Sequence, residues 1–430
     1  CVSFYQNGVL REVHYWDKLF IENNSAWKDG PYEQIASLLE EAVVKQSFCD
    51  VPMGVFLSGG LDSSTIGNNL SKLKKEAFKS YFVGFSQKDQ KEDILFDESE
   101  YARQMAEKIG SPLHEVILDI KEIEKLLPKL IWHMDEPIGD PALISTYLVC
   151  KAAKESSTVL LSGVGGDELF GGYPRYRAQS ILEKIQKFPP IFGRLLQIIG
   201  RGFPGGVNSR FRNINKFSGS ISSDPFKSYM SMLSYFPPQL HKDLFSRDFY
   251  HEFCQEDVYD YHREYYNRTS GQPGLNRIQY MDLKTFLPGL NLTYTDRMSM
   301  AASVEVRVPF LDDELVNQVL SLPAEEKLRK NIGKFALKKS QVDDLPNDII
   351  WRTKAGFGAP IKGWLNSDSL GLKKYYFDTD YLRKQNIFNP KTIQNIVKAE
   401  KSKKYHYSNH IWQILTFQIW HDVYINNMKF

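Results

Sequence analysis

The run Met53-Gly54-Val55-Phe56-Leu57-Ser58-Gly59-Gly60-Leu61-Asp62-Ser63-Ser64 decides the fold. Its first five residues are a short apolar stretch that reads as a buried strand. Gly59-Gly60 supplies a turn, and Ile66, Leu70 and Leu73 follow at the i, i+4, i+7 spacing of a helix. A strand that turns through glycine into a helix start aims free backbone N–H groups and the positive helix end at one point, where phosphate oxygens are stabilised. Three serine hydroxyls add donors, and Asp62 can hold a metal ion. The Walker pattern Gly-x4-Gly-Lys-Ser/Thr is absent, which argues against γ-phosphate transfer by that route. A serine-capped glycine turn explains any single Gly-Gly pair, but not the whole heptad 58–64 behind a strand.

Outward from this run, short apolar stretches alternate with helical patterns. The stretches are Val55-Phe56-Leu57, Tyr81-Phe82-Val83-Gly84-Phe85, Val116-Ile117-Leu118 and Val159-Leu160-Leu161. Such alternation predicts an α/β fold built on a parallel, doubly wound sheet. Ile35, Leu38, Leu39, Ala42 and Val43 predict an amphipathic helix before the first of these strands. Tyr101, Met105 and Ile109 predict another, behind the capping candidates Asp97 and Ser99. The sheet is expected to end near Tyr176. Residues 178–430 read as mainly helical, with Pro/Gly-rich breaks at 188–206 and 355–363. Residues 1–20 read as a hairpin about Asn7-Gly8. The expected organisation is a hairpin at 1–20, an α/β core at 31–177 and a helical part at 178–430.

The bulk numbers fit a globular protein of two or three domains: 430 residues, 42% hydrophobic and 25% charged. Lys+Arg 54 against Asp+Glu 52 leaves a formal charge of +2, too balanced for nucleic acid or a membrane surface to be the main partner. Cys1, Cys49, Cys150 and Cys254 are far apart and lack metal-ligand spacing, which suits a reducing compartment. No apolar run approaches the roughly 18 residues of a membrane span, and no signal-peptide pattern opens the chain. A cytoplasmic enzyme is expected.

A second loop, Ser162-Gly163-Val164-Gly165-Gly166-Asp167-Glu168-Leu169-Phe170-Gly171-Gly172-Tyr173, also follows an apolar strand. Its glycines let backbone approach a ligand closely, and Asp167 and Glu168 bring two carboxylates to the strand end where α/β sheets bind ligands. The heptad 58–64 resembles the pyrophosphate loop of the N-type ATP pyrophosphatases, whose fold is of the adenine nucleotide alpha hydrolase-like type. Together the two loops resemble the synthetase domain of glutamine-dependent asparagine synthetase. Asp135-Glu136-Pro137, Asp296-Arg297-Met298-Ser299-Met300, the run Val304-Glu305-Val306-Arg307-Val308-Pro309-Phe310-Leu311-Asp312, Gly333-Lys334 and Arg352-Thr353-Lys354-Ala355-Gly356-Phe357 follow that family in order. The likeness extends over about 31 to 420.

The resemblance implies ATP and Mg²⁺ as cofactors, cleavage of ATP between the α and β phosphates, and amide formation from an adenylated carboxylate, aspartate or a related acid. It implies that Leu57, Ser58, Gly59, Gly60, Ser63, Ser64 and Gly163 bind the nucleotide, with Val83 and Gly84 near the base. Asp62 and Asp167 would hold Mg²⁺. Lys334 and Lys354 would neutralise charge on the phosphates, with Asp167 beside them in catalysis. Asp167, Glu168, Asp296 and Arg297 would meet the carboxylate substrate. Ammonia, drawn from glutamine by a glutaminase domain that this chain lacks, is the expected nucleophile, and a homodimer is allowed for.

Three departures open alternatives. Val164 stands where the family carries an acidic residue, and where related β-lactam-forming cyclases carry tyrosine; valine cannot act as acid or base. Gly289, Leu290 and Tyr294 replace two acidic residues and a lysine in the stretch before Asp296, at the acceptor's end of the site. Cys1 is followed by Val2-Ser3-Phe4 and not by Gly-Ile, so it is not expected to be a glutaminase nucleophile. The hairpin at 1–20 resembles the last strands of a glutaminase domain, as in a fragment of a longer amidotransferase. The alternatives are an amide-forming cyclase or ligase of the β-lactam synthetase or lasso-peptide kind, a tRNA-modifying ATP pyrophosphatase, and a catalytically silent binding subunit. Near-neutral charge and scattered cysteines weigh against the tRNA enzyme.

Overall fold

The computed structural model describes residues 2–13, 17, 31–74, 78–86, 97–118, 120–201, 209–352, 359–367, 371–401 and 407–428. Strands β1 (Val2–Gln6) and β2 (Val9–Val13) form the hairpin, exposed along its length. Asn7 and Gly8 at φ of 52° and 79° make the tight turn that the sequence requires.

The main sheet contains β3 (Met53–Phe56), β4 (Lys79–Phe85), β5 (Leu113–Leu118), β6 (Val159–Leu161) and β7 (Glu305–Arg307) in the order β5-β4-β3-β6-β7, every pair parallel. The chain therefore winds outward from β3 to β5, returns to the other side of β3 as β6, and reverses its strand order there. β7 is the departure from expectation, because the sheet does not end near Tyr176. A strand of three residues inside Val304-Glu305-Val306-Arg307-Val308 is too short to register as a strand pattern. It is secured by its pairing to β6 and by Arg307, whose Nη1 donates to the carbonyls of Gln46 (2.8 Å) and Phe48 (2.9 Å).

Helices α1 (Tyr32–Gln46), α2 (Leu61–Leu73), α3 (Ser99–Lys108), α4 (Ile120–Met134) and α5 (Ala142–Ala153) pack around the sheet. On one face Ile35, Leu39 and Val43 of α1 meet Val55, Ile66, Leu70, Leu315 and Val319. On the other, Tyr81 and Leu160 meet Leu143, Ile144 and Leu148 of α5, which in turn touch the long helix Ser408–Tyr424 through Ile411 and Leu415. Each such side chain, taken wholly out of water, contributes about 1.5–3 kcal/mol. α5 is buried on nearly all sides, which accounts for its near absence of charge. A third cluster, with Tyr176, Phe226, Tyr229, Tyr266, Ile278 and Met281, carries the helices beyond the sheet. Thr293–Ala301 is preceded by a π-helical stretch, Leu287–Leu292, a rare local winding that often marks functional sites. Among the described residues no helix is long and apolar enough to cross a membrane.

Candidate active site

The C-terminal ends of β3 and β6 lie side by side where the strand order reverses, the position at which open α/β sheets bind ligands. The loop after β3 folds onto itself. Ser58 N–H donates to Ser63 Oγ (3.1 Å), the two hydroxyl oxygens lie 3.0 Å apart, and Gly60 N–H donates to Ser58 Oγ at 3.3 Å. No side chain caps α2, so its positive end stays open toward the loop. Arg352 holds the loop from outside: its Nη2 donates to Gly59 O (3.0 Å) and pairs with Glu98 Oε1 (2.6 Å). Arg352, which lines the cavity over this loop, has its Nη1 buried with no hydrogen-bond partner among the described residues, a donor suited to an anion.

The loop after β6 presses directly on the first. A Cβ on Gly163 would come within 2.8 Å of Asp62 Cβ, and one on Gly172 within 2.0 Å of Asp167 Oδ1 and 2.1 Å of Lys334 Cε, so neither position admits a larger residue without displacement. Lys334 joins the loops. Its Nζ lies 2.5 Å from Asp62 Oδ2 and 2.7 Å from Asp167 Oδ1. It follows the small hairpin β8 (Leu328–Arg329) and β9 (Ile332–Gly333), and its φ of 55° is uncommon for a residue with a side chain. Its N–H donates to Phe170 O at 3.1 Å, fixing that backbone against the second loop. Burial pulls the ammonium toward neutrality, but the Asp167 and Asp62 carboxylates outweigh it and hold the group charged well beyond its ordinary range. Lys338, one turn on, is lowered by burial and by the neighbouring Lys334 and Arg177.

Behind Asp167, Glu168 is buried. Its Oε1 accepts from Tyr173 OH (2.7 Å) and Asn291 Nδ2 (2.7 Å), while burial first, and Asp167 second, raise its carboxyl. Tyr173 rests against the Arg175 guanidinium, 3.7 Å from the ring centre. Arg175 is held by the fully buried Asp282, which also accepts from Tyr176 OH (2.8 Å) and Tyr229 OH (2.5 Å). A packed ionic network thus fixes the second loop from behind.

A cavity of about 620 Å³ lies over the two loops. Leu57, Ser58, Gly60, Asp62, Ser63, Val83, Gly163, Asp167, Glu168 and Lys334 all line it. Gly59 turns the loop at φ 67° but does not line the cavity, and Ser64 is wholly buried beneath it. Gly84 faces Ile117 on β5. Asp296 and Arg297 lie outside the cavity: both are exposed, and Arg297 pairs with Asp135. The helix instead turns Tyr294 and Thr295 inward. Lys354 lies outside the described residues, as does Cys1. Sequence reasoning missed Arg352, Lys338, Arg177, Glu98 and Asp140. Lys338 could have been found one helical turn beyond Lys334, and Arg352 two residues before Lys354. Glu98 and Asp140 carry no local signal.

Comparison with known proteins agrees with this geometry. The Asparagine synthase family matches residues 34–422. Asparagine synthetase (glutamine-hydrolysing) 1 of Bacillus subtilis is 30% identical over 416 residues, covering 93% of this chain and 60% of its own length. The same organism's asparagine synthetase (glutamine-hydrolysing) 3 is 27% identical over 364 residues, covering 83% and 52%. Amidase chry2 of Gibberella zeae is 26% identical over 398 residues, covering 82% and 55%. The chain therefore spans between half and three-fifths of the length of these relatives. With the two glycine loops, the bridging lysine and a family match over nine-tenths of its length, this chain belongs to the asparagine synthase family.

Proposed function

We propose that this chain is the synthetase part of an ATP-dependent amide-forming ligase, with aspartate or a related acid as acceptor and AMP and pyrophosphate as products. The observation that carries the reading is the meeting of the open α2 N-terminus with Asp62, Asp167 and Lys334 at one end of a single cavity. That end suits a pyrophosphate leaving group. An acceptor carboxylate oxygen attacks the α-phosphorus, the bond to the pyrophosphate oxygen breaks, and an acyl-AMP remains. The loop N–H groups, the serine hydroxyls and Lys334 stabilise the charge that builds on pyrophosphate. Ammonia then attacks the acyl carbon, the bond to AMP breaks and the nitrogen loses a proton to water. Lys354 is assigned a second contact to the phosphates on its match to the family block.

Mg²⁺ fits the donor set. Two carboxylates converge at the phosphate end, and no group of three or more metal-binding side chains occurs among the described residues. That suits an ion which takes one or two carboxylates and completes its shell with phosphate and water. When bound by Asp62 and Asp167 it would supply positive charge to the phosphate oxygens. The wider assembly proposed is a cytoplasmic amidotransferase whose ammonia comes from glutamine through a glutaminase domain, with dimerisation allowed for. The proposed division is the hairpin at 1–20, the α/β core at 31–177 with β7 returning from the later part to complete its sheet, and the mainly helical part at 178–430. A second reading, a cyclase or ligase with an amine nucleophile, is favoured by one feature: Val164 and Tyr294, both departures from the family pattern, line the cavity.

The test is isotope exchange between pyrophosphate and ATP across a panel of carboxylates. Acid-dependent exchange is expected. Stoichiometric ADP, or exchange with no acid, overturns the reading. Turnover on ammonium alone separates the ammonia ligase from the cyclase.

A further inference from the structure

The helix Pro190–Arg201 is turned the opposite way from a core helix. Toward the protein it presents glycine and glutamine. A Cβ on Gly200 would lie 1.9 Å from Ser218 Oγ, one on Gly193 would lie 3.2 Å from Ile221, and Gln197 Nε2 donates to Ile221 O at 2.7 Å. Toward water it turns Ile191, Phe192, Leu195, Ile198 and Ile199; Ile191 is 74% exposed and Ile198 66%. At about 100° per residue these five side chains share an arc of about 120°. Phe188, also exposed, joins them by stacking on Phe192 with ring centres 5.6 Å apart. Scattered exposed apolar residues are ordinary, but six on one face form a patch, and such patches mark interaction surfaces. The close approach of Gly200 to the helix Ser209–Gly219 means that packing sets which face looks outward.

The charge around this face has one sign. Residues 184–223 contain seven Lys and Arg and no Asp or Glu, an excess that the chain's total of +2 conceals. Lys184, Lys187 and Arg194 are exposed, and Arg194 stands at the border of the apolar arc. An apolar stripe bordered by basic residues is the pattern of a helix lying in the plane of an anionic membrane surface, its apolar side chains among the acyl chains and its cations at the headgroups. Twelve residues are too few to cross a bilayer. A second copy of the chain suits the face poorly, since an isologous contact would set these cations against their own copies. The helix Pro174–Gln186 links this face to the active site: Pro174 and Arg177 at its start line the cavity, and its 13 residues span about 20 Å.

We propose that the outward face of the helix Pro190–Arg201 docks on a bilayer that carries anionic phospholipid, with Ile191, Phe192, Leu195, Ile198 and Ile199 entering the surface and Lys184, Lys187 and Arg194 meeting its headgroups. The chain is then a peripheral membrane protein whose catalytic cavity stands near the lipid. The inference goes beyond the ligase reading and does not depend on it.

The test is flotation of the full chain with vesicles of phosphatidylcholine alone and of phosphatidylcholine with about 30% phosphatidylglycerol, a surface negative enough to attract basic segments. The unmodified chain is expected to bind the anionic vesicles at least about tenfold more tightly than the neutral ones, and Ile191→Gln with Ile198→Gln to lose at least about tenfold of that affinity. Glutamine supports a helix and both positions face water, so thermal melting and pyrophosphate–ATP exchange without lipid should not change. Should that variant melt early, Phe192→Gln with Leu195→Gln is read in the same way. Absence of flotation with anionic vesicles overturns the proposal. So does flotation that the apolar variant keeps and about 0.5 M salt abolishes, which is adsorption by charge alone. Concentration-dependent association in sedimentation, abolished by the same variant and accompanied by no vesicle binding, assigns the face to a second copy and also overturns it. Failure of exchange with every acid removes the ligase reading and leaves the flotation result standing.

Discussion

Replacing Lys334 with methionine isolates the contact on which the two loops converge. The ammonium lies 2.5 Å from Asp62 and 2.7 Å from Asp167, and it is buried. At an effective dielectric constant near 20, each contact supplies about 6 kcal/mol of attraction before the desolvation of three charges is counted. Desolvation removes most of this, and the expected net loss on deleting one member of such a buried set is about 3–5 kcal/mol of folding stability. Methionine keeps the volume of the stem, so cavity formation adds little. Because the folded state holds the Lys334 ammonium above its ordinary value, its contribution is fully present below about pH 10 and fades only as the pH climbs through the raised value. Lys334→Met should therefore lose its stability across the neutral range, read by urea unfolding at pH 7. Carboxylate-dependent pyrophosphate exchange should fall by about 10²–10³-fold, equivalent to about 3–4 kcal/mol of lost electrostatic stabilisation. Unchanged unfolding together with exchange within about threefold of normal would falsify the bridging role, since a factor of three is worth under about 1 kcal/mol.

Other outcomes follow from the same structure. Asp62→Asn, which neutralises one of the two converging carboxylates, should depress AMP formation by at least about 10²-fold, and a near-normal rate in a coupled AMP assay contradicts the assignment. Asp282→Leu leaves the Arg175 guanidinium buried and unpaired behind the second loop; a loss of about 3–5 kcal/mol in urea unfolding is expected, and a change below about 1 kcal/mol refutes it. Burial pushes the Cys150 thiol up to about 12, so alkylation at pH 8 should run about 10³-fold slower there than at an ordinary thiol. Rapid labelling of Cys150 in the native protein, mapped by mass spectrometry, counts against that burial.

The sequence by itself was enough for the elements whose cause is local. Met53 to Leu57 is apolar and followed by Gly-Gly, Ile66 and Leu70 share a helical face, and Asn7-Gly8 takes the positive φ angles of a tight turn. Periodicity and backbone sterics act over a few residues and can be read there, and the family resemblance assigns Asp62, Asp167 and Lys334 to one phosphate site. What only the tertiary structure decided depends on contacts distant in the chain. β7 is a strand because β6 offers it an edge, and three residues hold too little periodicity to announce it. Asp296 and Arg297 looked like site residues, yet the helix they share turns Tyr294 and Thr295 to the cavity; the π-helical winding just before it lies in the stretch whose pattern departs from the family. Arg352 and Glu98 are 254 residues apart and meet at the first loop. Asp140 reads locally as a turn residue, and only the fold brings it to the same cavity as Arg177, Lys334, Lys338 and Arg352. Side-chain direction and charge balance in a pocket are sums over the whole fold, which is why no window of sequence contains them.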